Sequence, residues 1–98
     1  MGFQVINRVP GAAITMKIRL KLFATLSEYL PPGARQNTAE VEVPDGSTPH
    51  QVMDRFRVPR EQAHLVVLNG VFVLPHQRNS LALSDGDTLA LWPPVAGG

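Results

Sequence analysis

The 98-residue sequence contains no cysteine, which removes disulfides, thiolate metal ligands and thiol nucleophiles at once. A chain without thiols fits a reducing compartment, and the cytoplasm is the expected location. An excess of either charge is also lacking. Nine basic residues against eight acidic ones leave a formal net charge of +1, too weak a field for an electrostatic footprint on nucleic acid. The basic residues are scattered from Arg8 to Arg78 with little aromatic interleaving, so no nucleic-acid partner is expected. No apolar stretch approaches the roughly 20 residues of a membrane-spanning helix, and no membrane partner is expected either. His50, His64 and His76 have no spacing that pairs them as metal ligands, so no metal site is expected.

What is present fits one ordinary globular domain. The length allows a single core but no cleft between two lobes, so function is sought on a surface feature. Residues 1–15 carry scattered apolar positions around Pro10 and Gly11, without the basic start and continuous apolar run of a secretory signal. They read as a flexible leader or extension, with the domain proper over residues 16–92 and a flexible tail over residues 93–98.

The pattern from Met16 onward predicts the elements. Ile18, Leu20 and Leu22 alternate with Lys17, Arg19 and Lys21, the period of a half-buried strand. Leu26, Tyr29 and Leu30 allow a turn or two of helix before Pro31-Pro32-Gly33 breaks it. Val41 and Val43 alternate with Glu40 and Glu42 in a second strand closed by Pro44-Asp45-Gly46. Thr48-Pro49-His50-Gln51 is a helix start, with a capping hydroxyl, a proline at the first helical position and a glutamine to complete a capping box. That helix is expected to bury Val52, Met53 and Phe56 and to end at Val58-Pro59. The apolar run Leu65 to Leu68, the hairpin dipeptide Asn69-Gly70 and the run Val71 to Leu74 predict two paired strands. Ser84-Asp85-Gly86-Asp87 forms a turn, its two aspartates shaping the loop through backbone hydrogen bonds. Thr88 to Trp92 is the last strand, with Leu89 and Leu91 inward and Trp92 outward beside the tail. The order implies an α+β roll with a mixed sheet packed against one main helix. Its expected core is Ile18, Leu20, Leu22, Val41, Val43, Val52, Phe56, Leu65, Val67, Leu89 and Leu91.

The ending Pro93-Pro94-Val95-Ala96-Gly97-Gly98 is the most informative segment. Two prolines lack amide hydrogens and favour extended backbone, so they cannot continue a sheet ladder and project the last four residues away from the body. A diglycine has no side chains, so a narrow channel can close around its backbone. The Asn69-Gly70 hairpin, the approach from Leu81 to Leu83, the Ser84-Asp85-Gly86-Asp87 turn and the ending from Trp92 to Gly98 together resemble the MoaD/ThiS family of sulfur carriers. The resemblance spans Met16 to Gly98, and the Pro-Pro-Val-Ala-Gly-Gly ending is most similar to the small subunit of molybdopterin synthase.

The resemblance implies a ubiquitin-like β-grasp fold. It also implies that Gly98 is the site of adenylation and thiocarboxylate formation, with Pro93, Pro94, Val95, Ala96 and Gly97 threading into a partner's active site. The implied partners are an ATP-using, ubiquitin-activating-like adenylyltransferase, a sulfur donor protein and the large subunit of molybdopterin synthase. No cofactor is bound by the chain itself, and no catalytic residue is assigned, since nothing here assembles a nucleophile and a base. Trp92 is a candidate partner contact, as aromatic residues are enriched at binding hot spots, with packing against the leader or a neighbouring strand as its alternative. Lys17, Arg19 and Lys21 offer a basic stripe to an acidic partner, although solvated strand-face charges are the commoner case. Three other functions share the same features: a sulfur carrier for thiamin or another sulfur-containing metabolite, a ubiquitin-like modifier joined through Gly98 to a target lysine, and a β-grasp interaction module whose tail plays no part.

Overall fold

The computed structural model describes residues 14–95. Strand β1 (Thr15–Leu22) follows the sequence period: Met16, Ile18, Leu20 and Leu22 are buried, while Lys17 and Arg19 face water. A 3-10 helix at Ala24–Tyr29 buries Leu26, and Tyr29 and Leu30 pack at the margin of the core. Strand β2 (Thr38–Pro44) pairs antiparallel with β1, setting Ile18 opposite Val41 and Met16 opposite Val43.

Helix α1 (Pro49–Arg55) begins on the expected capping box. The Gln51 amide donates to Thr48 Oγ1 at 3.2 Å, and the Thr48 amide donates to Gln51 Oε1 at 3.0 Å. These bonds satisfy two of the amides that a helix start leaves free. The helix stops one residue before Phe56, which is half-buried rather than a core residue. Arg57 then adopts a left-handed φ of 62°. Its amide donates to the Asp54 carbonyl and the Val58 amide to the Met53 carbonyl, the paired bonds of a Schellman ending.

Strand β3 (Leu65–Leu68) turns through Asn69 and Gly70, both left-handed at φ 50° and 84°, into β4 (Val71–Phe72). Positive φ at both central residues is what a tight hairpin turn matched to strand twist requires. The expected strand from Val71 to Leu74 is shorter: its ladder covers two residues, and Val73 adds one bond from its amide to the Val66 carbonyl. Strand β5 (Thr88–Trp92) enters between β1 and β3, parallel to β1 and antiparallel to β3. The sheet order is therefore β2-β1-β5-β3-β4.

One face of this sheet carries the core. Ile18, Leu20, Leu22, Val43, Val66, Leu89 and Leu91 meet Val52 and Met53 of α1, each at 1% exposure or less. Leu65 and Val67 were expected in this set, but β3 has the opposite phase. Its register places Val66 beside Leu91, so Val66 points inward and Leu65 and Val67 point outward. A short run of apolar residues carries no alternation, so its own sequence leaves the phase open and pairing decides it.

The segment between β4 and β5 is tied down by Arg78, a buried charge. Its guanidinium donates to the carbonyls of Val73 and Ala63 at 3.1 Å each and of His64 at 3.3 Å. Its backbone carbonyl accepts from the His50 amide at 2.8 Å. Its side chain thus joins the approach to β3 to the exit of β4, and its backbone ties both to the start of α1.

Candidate functional site

The end of β5 is where the fold delivers the tail. The Leu91 carbonyl accepts from the Phe23 amide at 3.1 Å, and the Trp92 carbonyl accepts from the His64 amide at 2.8 Å. Beyond that bond Pro93 and Pro94 have no amide hydrogen to give, and the ladder stops. Exposure rises along the segment, from half-buried Pro93 to exposed Pro94 and to Val95 at 80%. Ala96, Gly97 and Gly98 lie outside the described residues, as does most of the leader over residues 1–15.

Trp92 is on the outer face of the sheet beside the tail root, as its alternation with Leu89 and Leu91 predicts. One face of its ring is also covered: it stacks on Phe23 with centroids 4.6 Å apart and planes 7° apart. The packing alternative for Trp92 is therefore met, with the residue just after β1 as its partner, and the ring stays half-exposed. The chain turns away directly after Phe23, because Ala24 has a left-handed φ of 52°. That turn leaves the Phe23 ring over Trp92 while the backbone departs. Around the pair lies an open, mainly apolar cavity of about 630 Å3, bordered by His64, Leu65, Trp92, Pro93, Pro94 and Val95.

The outer face divides into two halves. On β1 and β2 it is charged: Lys17 lies opposite Glu42, Arg19 opposite Glu40 and Lys21 opposite Thr38. The predicted basic stripe is therefore flanked by acids along two of its three positions, an alternation of opposite charges that stabilises antiparallel pairs. On β5, β3 and β4 the same face is apolar, because Leu65 pairs with Trp92, Val67 with Ala90, and Phe72 with Val67. Leu65 is 36% exposed and Phe72 45%. The sequence reading missed this half because it turned Leu65 and Val67 inward. The available signal was the run of four apolar residues, which supplies both faces of a strand.

The two aspartates of the turn before β5 shape it as expected. Asp85 Oδ1 accepts from the Lys17 amide and Asp87 Oδ2 from the Ser84 amide, each at 2.8 Å. Asn69 Nδ2 donates to Asp87 Oδ1 at 2.9 Å, and the Thr88 amide donates to Asn69 Oδ1 at 2.8 Å. The hairpin tip and the turn are thus locked to each other at the end of the sheet away from the tail.

No three His, Asp or Glu side chains gather into a metal-ligating cluster among the described residues. His50 has a buried Nδ1 without a hydrogen-bond partner. Burial, then the nearby Arg60 cation, hold its imidazole below the ordinary range, Asp54 pulls the other way, and Arg78 adds to the lowering. His50 and Asp54 belong to α1, which packs on the opposite face of the sheet from the apolar one, whereas the Arg78 guanidinium lies 5.9 Å from the Phe72 ring. The tail region therefore offers presentation and docking: a thin extended segment anchored by one aromatic stack beside an apolar surface.

A mixed five-stranded sheet holding one main helix, with an extended segment leaving its last strand, is the ubiquitin-like β-grasp architecture. The ThiS family model matches residues 20–98, and the chain belongs to that family. A Haloferax volcanii protein, HVO 2177, is 30% identical with a TM-score of 0.67, covering 86% of this chain and 88% of that one. SAMP1 of the same organism is 27% identical with a TM-score of 0.57, over 84% of this chain and 99% of that one. The fold also recurs in the complex of subunits 1 and 2 of the molybdopterin-converting factor of Helicobacter pylori. There the identity is 16% and the TM-score 0.51, over 85% of this chain and 100% of the matched one. No curated protein matches in sequence. Family and fold place the chain among ThiS/MoaD-like small sulfur carriers and ubiquitin-like modifiers.

Proposed function

We propose that the chain is a sulfur carrier that works through the carboxylate of Gly98 and serves molybdopterin synthesis. The observation that carries this reading is the tail root: Pro93 to Val95 leave the sheet in rising exposure from a fixed aromatic stack, beside an apolar face. A carboxylate resists nucleophilic attack because it is anionic and its oxygen is a poor leaving group. Joining that oxygen to the α-phosphorus of ATP, with release of pyrophosphate, gives an acyl-adenylate whose leaving group is AMP. The terminal sulfur of a persulfide on a donor protein then attacks the acyl carbon and AMP leaves; a thiol cleaves the resulting acyl disulfide, forming a disulfide with the donor's sulfur and releasing the thiocarboxylate.

In this scheme the activating enzyme binds ATP and supplies the chemistry, and the chain supplies position. Trp92 and Leu65 dock on the partner, Lys17, Arg19 and Lys21 lie at the polar rim, and residues 93–97 thread the terminal carboxylate inward. Association of the Helicobacter pylori subunit 1 with a subunit 2 supports a larger synthase subunit as the sulfur's destination. The cysteine-free sequence fits cytoplasmic work. A second reading, attachment of Gly98 to target lysines, is favoured by the likeness to SAMP1.

Deleting Gly97 and Gly98 is expected to abolish activation while leaving the urea unfolding midpoint unchanged. Retained function after that deletion would remove both readings in favour of a plain interaction module. Leu65→Asp, at a position that is exposed in the free chain, is expected to weaken binding to the activating enzyme by about tenfold or more. Unchanged binding would show that the apolar half of the sheet is not the docking face. Recovery of Gly98 joined to target lysines in cells, without any thiocarboxylate form, would select the modifier.

A further inference from the structure

The sheet has one long edge that nothing among the described residues covers, along β2. The register determines which backbone groups it offers. The Leu22 amide donates to the Asn37 carbonyl and the Asp45 amide to the Ile14 carbonyl, so odd-numbered residues of β2 bond to β1. Thr38 exchanges both its bonds with Arg35, on the far side from β1. The even-numbered residues therefore aim N–H and C=O at the open edge. Pro44 has no N–H to offer there, and Thr38 is already engaged. The free groups are those of Glu40 and Glu42.

Beside this edge runs a groove. Its first part, about 330 Å3, is bordered by Pro31, Pro32, Val41, Arg55 and Phe56, at the small end of the roughly 300–1,000 Å3 of ligand pockets. It has room for an apolar side chain over half-buried Phe56. A second part, about 400 Å3, continues past Arg55 to Asp45 and Gly46. On the other side of the edge the carboxylates of Glu40 and Glu42 point to the outer face. They lie in register with Arg19 and Lys17, but among the described residues neither makes an ion pair within 4.0 Å, so both face a strand on their other flank.

We propose that this edge is a second docking site, which takes an extended segment of a partner protein as an added strand with the pattern basic, apolar, basic. The N–H and C=O of Glu40 and Glu42 would complete the ladder. The two basic side chains would lie opposite Glu40 and Glu42, and the apolar one between them would enter the groove over Phe56. Charge rules out a second copy of the chain. Two β2 edges paired antiparallel about Val41 would set Glu40 against Glu42 twice, and like charges directly opposite are destabilising. The site is independent of the tail, since β2 and β5 are separated by β1.

The test uses the isotope-labelled full chain with two synthetic peptides, acetyl-Lys-Val-Lys-Val-Lys-amide and its Glu-for-Lys counterpart. The basic peptide is expected to bind at least about tenfold more tightly and to slow hydrogen exchange at the Glu40 and Glu42 amides. The E40Q/E42Q variant is expected to bring the two peptides within about twofold of each other. Glu42→Pro removes an edge-facing N–H without touching the β1 ladder and is expected to weaken the basic peptide. The proposal is overturned if those amides are already protected in the free chain, which would mean that a segment of the chain itself lies on the edge. It is equally overturned if both peptides bind the unsubstituted chain alike, if their effects centre on β4, or if Glu42→Pro changes nothing.

Discussion

Arg78 shows how a single residue can hold several segments without any partner of opposite charge. Burial pushes its guanidinium below the ordinary arginine range, yet a planar fork can serve three carbonyls on two segments at once. Arg78→Met keeps much of the volume and leaves those carbonyls unpaired, and is expected to lower stability by about 2–4 kcal/mol in urea unfolding. Arg78→Lys should recover less than half, because one ammonium cannot reach all three. Full recovery by lysine would mean that charge alone matters. His50 gives a second test. Its imidazole titrates below the ordinary value of 6.5 in the folded chain, so the unfolded chain takes up its proton first as pH falls. The stability gained by keeping His50 neutral is complete above about 6.5 and is lost as pH drops through the folded value. The urea midpoint should therefore fall between about pH 7 and about pH 5, and His50→Gln should flatten that slope. An unchanged slope in the variant would assign it to other groups.

The ends of elements separate what the sequence announces from what the fold imposes. The start of α1 was legible because Thr48, Pro49 and Gln51 each have a known local task, and the structure uses all three. Its end was not, because the left-handed residue of the Schellman turn is Arg57 and not the usual glycine. An exposed arginine at φ 62° bears a strain that glycine does not. Arg57→Gly is expected to stabilise the chain by about 0.5–1 kcal/mol, measured as a raised urea midpoint with unchanged slope. Destabilisation would mean that its side chain contributes more than its backbone costs. Strands β1 and β2 were readable from alternation, since charged residues marked the wet side, and β5 from Leu89 and Leu91 two residues apart. Strand β3 was not, because Leu65-Val66-Val67-Leu68 looks the same in either phase and only its pairing with β5 selects one.

At the scale of the molecule, that phase decides the candidate site. Turning Val66 inward completes the core, and turning Leu65 and Val67 outward extends an apolar surface from Phe72 to Trp92 and the tail root. The root of the tail, Pro93 to Val95, was legible from its residue types, since prolines end a ladder in any fold. The apolar surface beside it was not, because it is made by register across three strands. In the proposed function the chain brings a reactive end to other proteins' active sites, and its own contribution is one aromatic stack and one apolar face. Exchange of the Gly98 carboxylate for a thiocarboxylate is read by intact mass after incubation with ATP, an activating enzyme from the same cells and a sulfur donor. The expected result is a gain equal to the difference between one sulfur and one oxygen atom, localised to Gly98. An unchanged mass with an activating enzyme shown to bind the chain would contradict it.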